Sequence, residues 1–159
     1  MAGAHRLPEP SGPWTAQAAA AFLVAAVIPV RLATIGREGP LVQSMWFVPD
    51  GSALWCATQR DALVVSRLLT DPRCGFEVAG DDPPYRGVRG TGTAQVHPDQ
   101  GERVLRLLLD RYQGGTSSAL ARWLLARAAT EVALRVVPTT LASWDFTARM
   151  SDPPPEPPS

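Results

Sequence analysis

With 159 residues, zero formal net charge, 45% hydrophobic and 19% charged residues, the chain has the size and balance of one globular domain whose core needs no disulfide or metal. Zero net charge excludes a non-specific nucleic-acid binder, which works through a basic face. Two histidines (His5, His97) and two cysteines (Cys56, Cys74) in no CxxC or Cys/His grouping supply too few ligands for a zinc site. All fifteen basic residues are Arg, so a lysine Schiff base is excluded and any cationic site must use guanidinium.

Residues 1–12 are rich in Pro and Gly and are expected to be a loose N-terminus. Ser11 or Gly12 followed by Pro13 reads as a helix start. The helix runs over about 14–27 with Phe22 and Leu23 on its buried side, and Pro29 ends it. The apolar run from Ala18 to Val30 is shorter than the roughly twenty residues a bilayer requires. It reads as a helix packed on the domain, neither a membrane span nor a signal peptide, in a cytoplasmic protein with reduced thiols.

Strand patterns follow at 31–35, 41–48 and 53–58, separated by the turns Gly36–Pro40 and Pro49–Gly51, and are expected to form an antiparallel meander. A short helix is expected over 61–69, stopped by Asp71-Pro72, and strands over 74–79 and 85–97. Cys56 and Cys74 fall in strands as small buried hydrophobes. Gly87, Gly90 and Gly92 within the long strand mark a bulge or a close backbone approach. His97, at the end of that strand beside Pro98-Asp99, reads as a capping or exposed residue. Helices over 100–112 (Val104, Leu105, Leu108, Leu109 inward) and 117–129 (Leu120, Trp123, Leu124, Ala128 on one face) precede strands over 132–137 and 141–147. Residues 150–159 are a Pro-rich tail expected to be disordered. The resulting domain, 13–149, is α+β: an antiparallel Greek-key barrel with peripheral helices.

Several segments, in order, resemble the pyridoxamine 5'-phosphate oxidase-like family, and more narrowly its deazaflavin (F420) branch. They are Arg31–Ile35, Gly39-Pro40, Met45–Phe47, Asp50-Gly51, Thr58, Asp71–Arg73, Pro84–Val88, Gly90–Ala94, Arg135–Pro138 and Trp144–Phe146. The resemblance implies a flavin-binding split β-barrel, a homodimer with two sites at the subunit interface, and FMN or F420 as cofactor; some branches bind haem. It places the ring against Gln43, Ser44, Met45 and Trp46, and the phosphate near Thr58, with partner residues coming from the long fifth strand and the last strand.

A phosphate needs backbone N–H groups, a hydroxyl and cations. Thr58 stands at the hydroxyl position. Ala62, Leu63 and Val64 stand where typical members carry a Ser-Arg-Lys clamp, and Leu41 and Val42 leave the second strand without its usual cation. Gln59, Arg60 and Arg67 are the nearby substitutes. Trp46 and Trp144 are candidates for stacking on a planar cofactor, and Tyr85 and Arg86 for contacting a substrate or a polyanionic tail. No Ser/His/Asp or Cys/His nucleophile arrangement exists and no catalytic side chain can be named. Three functions remain: a flavin- or deazaflavin-dependent oxidoreductase passing hydride to a small planar substrate, a repurposed barrel that binds haem or another aromatic ligand without FMN, or a tailoring enzyme that uses the apolar pocket without any flavin.

Overall fold

Strands β1 (Val30–Gly36), β2 (Gly39–Met45), β3 (Val48–Pro49), β4 (Leu54–Gln59), β5 (Arg73–Ala79), β6 (Arg86–His97) and β7 (Glu131–Asp145) form one antiparallel sheet in the order β2-β1-β5-β6-β7-β4-β3. The structure, a computed structural model, describes residues 6–151. β2 and β3 are two halves of one extended segment broken at Trp46-Phe47, yet they lie at opposite ends of the strand order. The sheet therefore curls until that segment joins its two edges, which is the expected α+β split barrel. Period-2 alternation sends Val30, Leu32, Leu54, Cys56, Val78, Val88, Leu134 and Val136 inward, all without measurable exposure.

Two helices pack on this core, and a third builds separate apolar clusters on the opposite face of the sheet. Helix α1 (Ala16–Ala25) buries Ala19 and Leu23 against it, while Phe22 is half-buried beside Trp14. Helix α2 (Leu63–Thr70) buries Val64, Val65 and Leu68. Helix α3 (Gly101–Gln113) lays the expected Val104, Leu105, Leu108 and Leu109 across β4 and the first half of β7. Burial pushes the Cys56 thiol up to about 12 and the Cys74 thiol up to about 11, so both remain protonated, unreactive core residues.

Several expectations are corrected. The 53–58 strand does not continue a meander: β4 pairs with β7 and β3, because closure of the barrel carries the chain across to the other edge. The two last strands are one, β7, whose mismatch with β6 is absorbed at Thr91/Gly92. There the glycines do serve close approach: a Cβ on Gly90 would lie 2.1 Å from the Thr140 carbonyl oxygen.

The α1 cap is Thr15, whose hydroxyl accepts from the Ala18 N–H; Ser11 is held instead by backbone hydrogen bonds to Leu141 and Ser143. Of the segment expected to be loose, Ser11 is thus tied to β7 and Leu7 is buried in the core; residues 1–5 and 152–159 lie outside the described part. Met150 and Ser151, assigned to the tail, end helix α5 (Thr147–Ser151). Helix α4 (Ala119–Leu125) is shorter than expected and buries Ala121, leaving Leu120 and Trp123 exposed. The His97 side chain makes no cap; its ring packs against Trp55, with centroids 5.3 Å apart. Among the described residues no helix is long and apolar enough to cross a membrane.

Candidate functional site

The end of β2, the end of β4 and the start of β7 converge under α3 and α4 on a pocket of about 420 Å³, a size typical of small-molecule sites. Gln43, Ser44, Met45, Trp46 and Thr58 line it beside Ala57, four leucines (105, 108, 120, 124) and Glu131. Five of the residues expected around a cofactor ring and phosphate are therefore brought together. The side chains of Gln43, Ser44 and Thr58 hydrogen-bond to no other described residue; Gln43 and Ser44, consecutive in β2, point to opposite faces of that strand.

Trp46 has its position fixed by packing. Its ring stacks on Tyr112, with centroids 5.0 Å apart and planes 6° apart, so one face is already occupied within the chain. Tyr112 holds the break between β2 and β3: its hydroxyl donates to the Ile28 carbonyl (2.8 Å) and accepts from the Phe47 N–H (3.3 Å). Tyr112→Phe leaves both partly buried backbone groups without a partner and is expected to cost about 1–3 kcal/mol. Thermal unfolding of the variant, with tryptophan fluorescence reporting on Trp46, checks this.

Glu131 had no signal in the sequence. It opens β7 with 6% exposure, and the Gln59 side-chain amide is the single hydrogen-bond donor to its carboxylate among the described residues. Burial holds the carboxyl above its ordinary pKa, partly offset by Gln59 and by Arg127. Arg127 does not reach ion-pair distance, and its guanidinium lies over the Trp123 ring at 4.9 Å. A folded-state pKa above the unfolded value means the folded state holds more protons in the window between the two, so stability falls as pH rises through that window. Glu131→Gln is expected to remove this slope. The variant gains on the wild type at neutral pH, and the gain disappears as pH drops below the ordinary carboxylate range; urea unfolding across a pH series reads it.

The candidate arginines face elsewhere. The Arg60 Nη2 donates to the Ala129 carbonyl at 3.3 Å. The Arg67 Nη1 donates to the carbonyls of Thr34 (3.2 Å) and Gly39 (3.1 Å), and its guanidinium covers Gly36 in a separate groove at the β1–β2 hairpin. Gln59 is engaged by Glu131, Thr130 and the Arg127 carbonyl. Tyr85, Arg86 and Trp144 lie at the far end of β7, roughly 40 Å of extended chain from Thr58. There Trp144 packs on Gly87, with the Arg89 guanidinium 5.4 Å from its ring centroid.

Between the two ends, the outer face of β1, β5, β6 and the second half of β7 carries no helix among the described residues. Its centre is made of small residues, Ala33, Gly75, Thr91, Thr140 and Ala142, flanked by Arg31, Glu77 and Arg89, and it forms a groove of about 590 Å³.

A closed antiparallel barrel with a helix-covered pocket at the break in its second strand defines the split-barrel class. The chain belongs to the pyridoxamine 5'-phosphate oxidase family, whose family model matches residues 16–141. Among solved structures, the conserved hypothetical protein Rv2991 from Mycobacterium tuberculosis is 26% identical with a TM-score of 0.73, the match covering 96% of this chain and 98% of that one. An F420 reductase is 27% identical with a TM-score of 0.64, covering 75% and 92%. The haem storage protein HutZ from Vibrio cholerae, at 15% identity and a TM-score of 0.59 over 75% and 87%, shares the fold. No curated protein matches the chain by sequence.

The pocket's walls are mainly apolar, with the polar residues Gln43, Ser44, Thr58 and Glu131 among them, a lining of the kind that takes small ring-bearing ligands. An FMN phosphate does not fit there. Of the clamp positions, Val64 is buried in the core, Leu63 is exposed and Ala62 caps α2 without a side-chain hydrogen bond. The nearest ionisable wall residue is the carboxyl of Glu131. At the effective dielectric of a protein site, two like unit charges about 4 Å apart repel by about 4 kcal/mol, and a phosphomonoester carries nearly two.

Proposed function

We propose that this protein is a homodimeric oxidoreductase of the deazaflavin (F420) type, holding the ring in the pocket over Gln43–Trp46. The observation that carries this reading is the pocket itself. It gathers the ring-facing residues of the family's second strand with Thr58 while offering no cation for a phosphomonoester. F420 joins its ribityl chain through a phosphodiester, which carries less charge at that position than FMN does, and its acidic tail extends outward. The 27% identity to an F420 reductase supports the same choice.

A second copy of the chain on the helix-free sheet face completes the site. It brings the distant Tyr85, Arg86 and Trp144 of one subunit towards the pocket of the other, where Arg86 suits an acidic tail. A bound reduced deazaflavin supplies the hydride. The chain's part is to position and desolvate: the β2 edge at Gln43 and Ser44, together with Thr58, hydrogen-bonds to the ligand, and Trp46 with the α3 and α4 leucines keeps water from it. Titration of the purified protein with F420, FMN and haem, followed by absorbance, tests the reading. Saturable binding of F420, stronger than that of FMN, supports it. A Soret shift with haem and no response to F420 replaces it with the ligand-storage alternative.

A further inference from the structure

We infer that Glu131 is the specificity-determining residue of this pocket: its buried carboxylate selects a ring-bearing ligand that presents a hydroxyl or N–H donor to it and rejects one ending in a doubly charged phosphomonoester. The inference rests on the ring-binding reading above and extends it, because it assigns the choice of the ligand's polar group to a residue with no expected role.

Three observations converge on it. First, Glu131 lines the same pocket as Thr58, the residue expected at the phosphate, and it stands opposite Gln59 across the β4–β7 pair. Second, the carboxylate is only partly satisfied: Gln59 supplies one donor, and an ionised carboxylate accepts several. A ligand hydroxyl or N–H is the group that completes it. Third, each arginine that would neutralise a phosphate is held elsewhere: Arg60 on Ala129, Arg67 on Thr34 and Gly39, Arg127 over Trp123. The pocket thus has the charge opposite to that of a phosphate site.

The burial is built into the fold. Gly101, the first residue of α3, sits so close to the Glu131 main chain that even a Cβ has no room, and this contact holds α3 over the start of β7. The side chain is therefore kept at the pocket wall and away from bulk water.

Riboflavin and FMN share one ring and differ only by the phosphate, so they isolate this effect. Dissociation constants of both for the full-length protein are measured by quenching of flavin fluorescence, for wild type and for Glu131→Gln, which keeps shape and removes charge. Wild type is expected to bind riboflavin at least about tenfold more tightly than FMN, and Glu131→Gln to bring the two within about threefold. Equal binding of the two flavins by wild type overturns the inference without any variant. So does a wild-type preference that Glu131→Gln leaves unchanged, and in both cases the ring site stands. Binding of neither flavin, with F420 also unbound, removes the ring site and the inference together.

Discussion

Gly101→Ala is expected to destabilise the protein by about 3 kcal/mol, more than any surface substitution, lowering the melting temperature by roughly 6–12 °C for a chain of this length. A Cβ at this position would lie 2.1 Å from the Glu131 carbonyl oxygen, 2.3 Å from its carbonyl carbon and 2.8 Å from the Val132 nitrogen. All three are backbone atoms of β7, so no side-chain rotation relieves the overlap. The start of α3 must move off the sheet, and Val104 and Leu108, which pack on Ala133, move with it. Because Glu131 forms a pocket wall, the same shift is expected to weaken ring binding. Gly80→Ala, where an added Cβ meets nothing within 4 Å, is the control and is expected to change stability by less than about 0.5 kcal/mol. Thermal unfolding of the two variants beside wild type reads the difference.

The second large effect is on assembly. Ala33 lies at the centre of the helix-free face, between the groove that contains Gly75 and Ala142 and a neighbouring one that contains Cys74 and Thr139. Ala33→Glu puts a carboxylate where the proposed second copy would cover it without a partner. An unpaired buried charge at an interface costs about 2–5 kcal/mol, so the dimer should dissociate from roughly thirtyfold to several thousandfold more readily. The monomer should still fold, since Ala33 points away from the core while Leu32 and Thr34 point into it. Leu69→Glu, at a position 70% exposed on α2, should leave assembly unchanged. Light scattering behind size-exclusion chromatography distinguishes the two. Ring binding is expected to fall along with dimerisation in Ala33→Glu.

Sequence pattern reveals most of the barrel because strand alternation is local: β1, β5 and β6 are found within a residue or two of their bounds. What it misses depends on contacts distant in sequence. The break at Trp46-Phe47 exists because the barrel closes there and Tyr112, on α3, ties the broken backbone; neighbouring residues carry no mark of it. The strapping of Ser11 along β7 is equally invisible, since Pro and Gly content reports local stiffness and turns and not the partner the strand offers. Helix α4 shows apolar spacing, but with seven residues it covers a pocket and leaves Trp123 outside.

The site divides the same way. Residue types around the ring are legible from the family resemblance, and five of them do share a pocket. Directions of long side chains are not: Arg60 and Arg67 have the charge a phosphate needs, but their guanidinium groups end on backbone carbonyls. Glu131 is the opposite case. A glutamate opening a strand is ordinarily solvated, and its burial here depends on residues distant in sequence, among them Gly101 against the β7 backbone and Gln59 on the carboxylate.

Sedimentation velocity of the purified protein mixed with F420, detected through the deazaflavin absorbance, tests the central proposal most directly, because it reads ring binding and assembly in one trace. The chromophore is expected to move with a dimer-sized species at one ring per chain. A chromophore that stays with the solvent, or that moves with a monomer, contradicts the proposal.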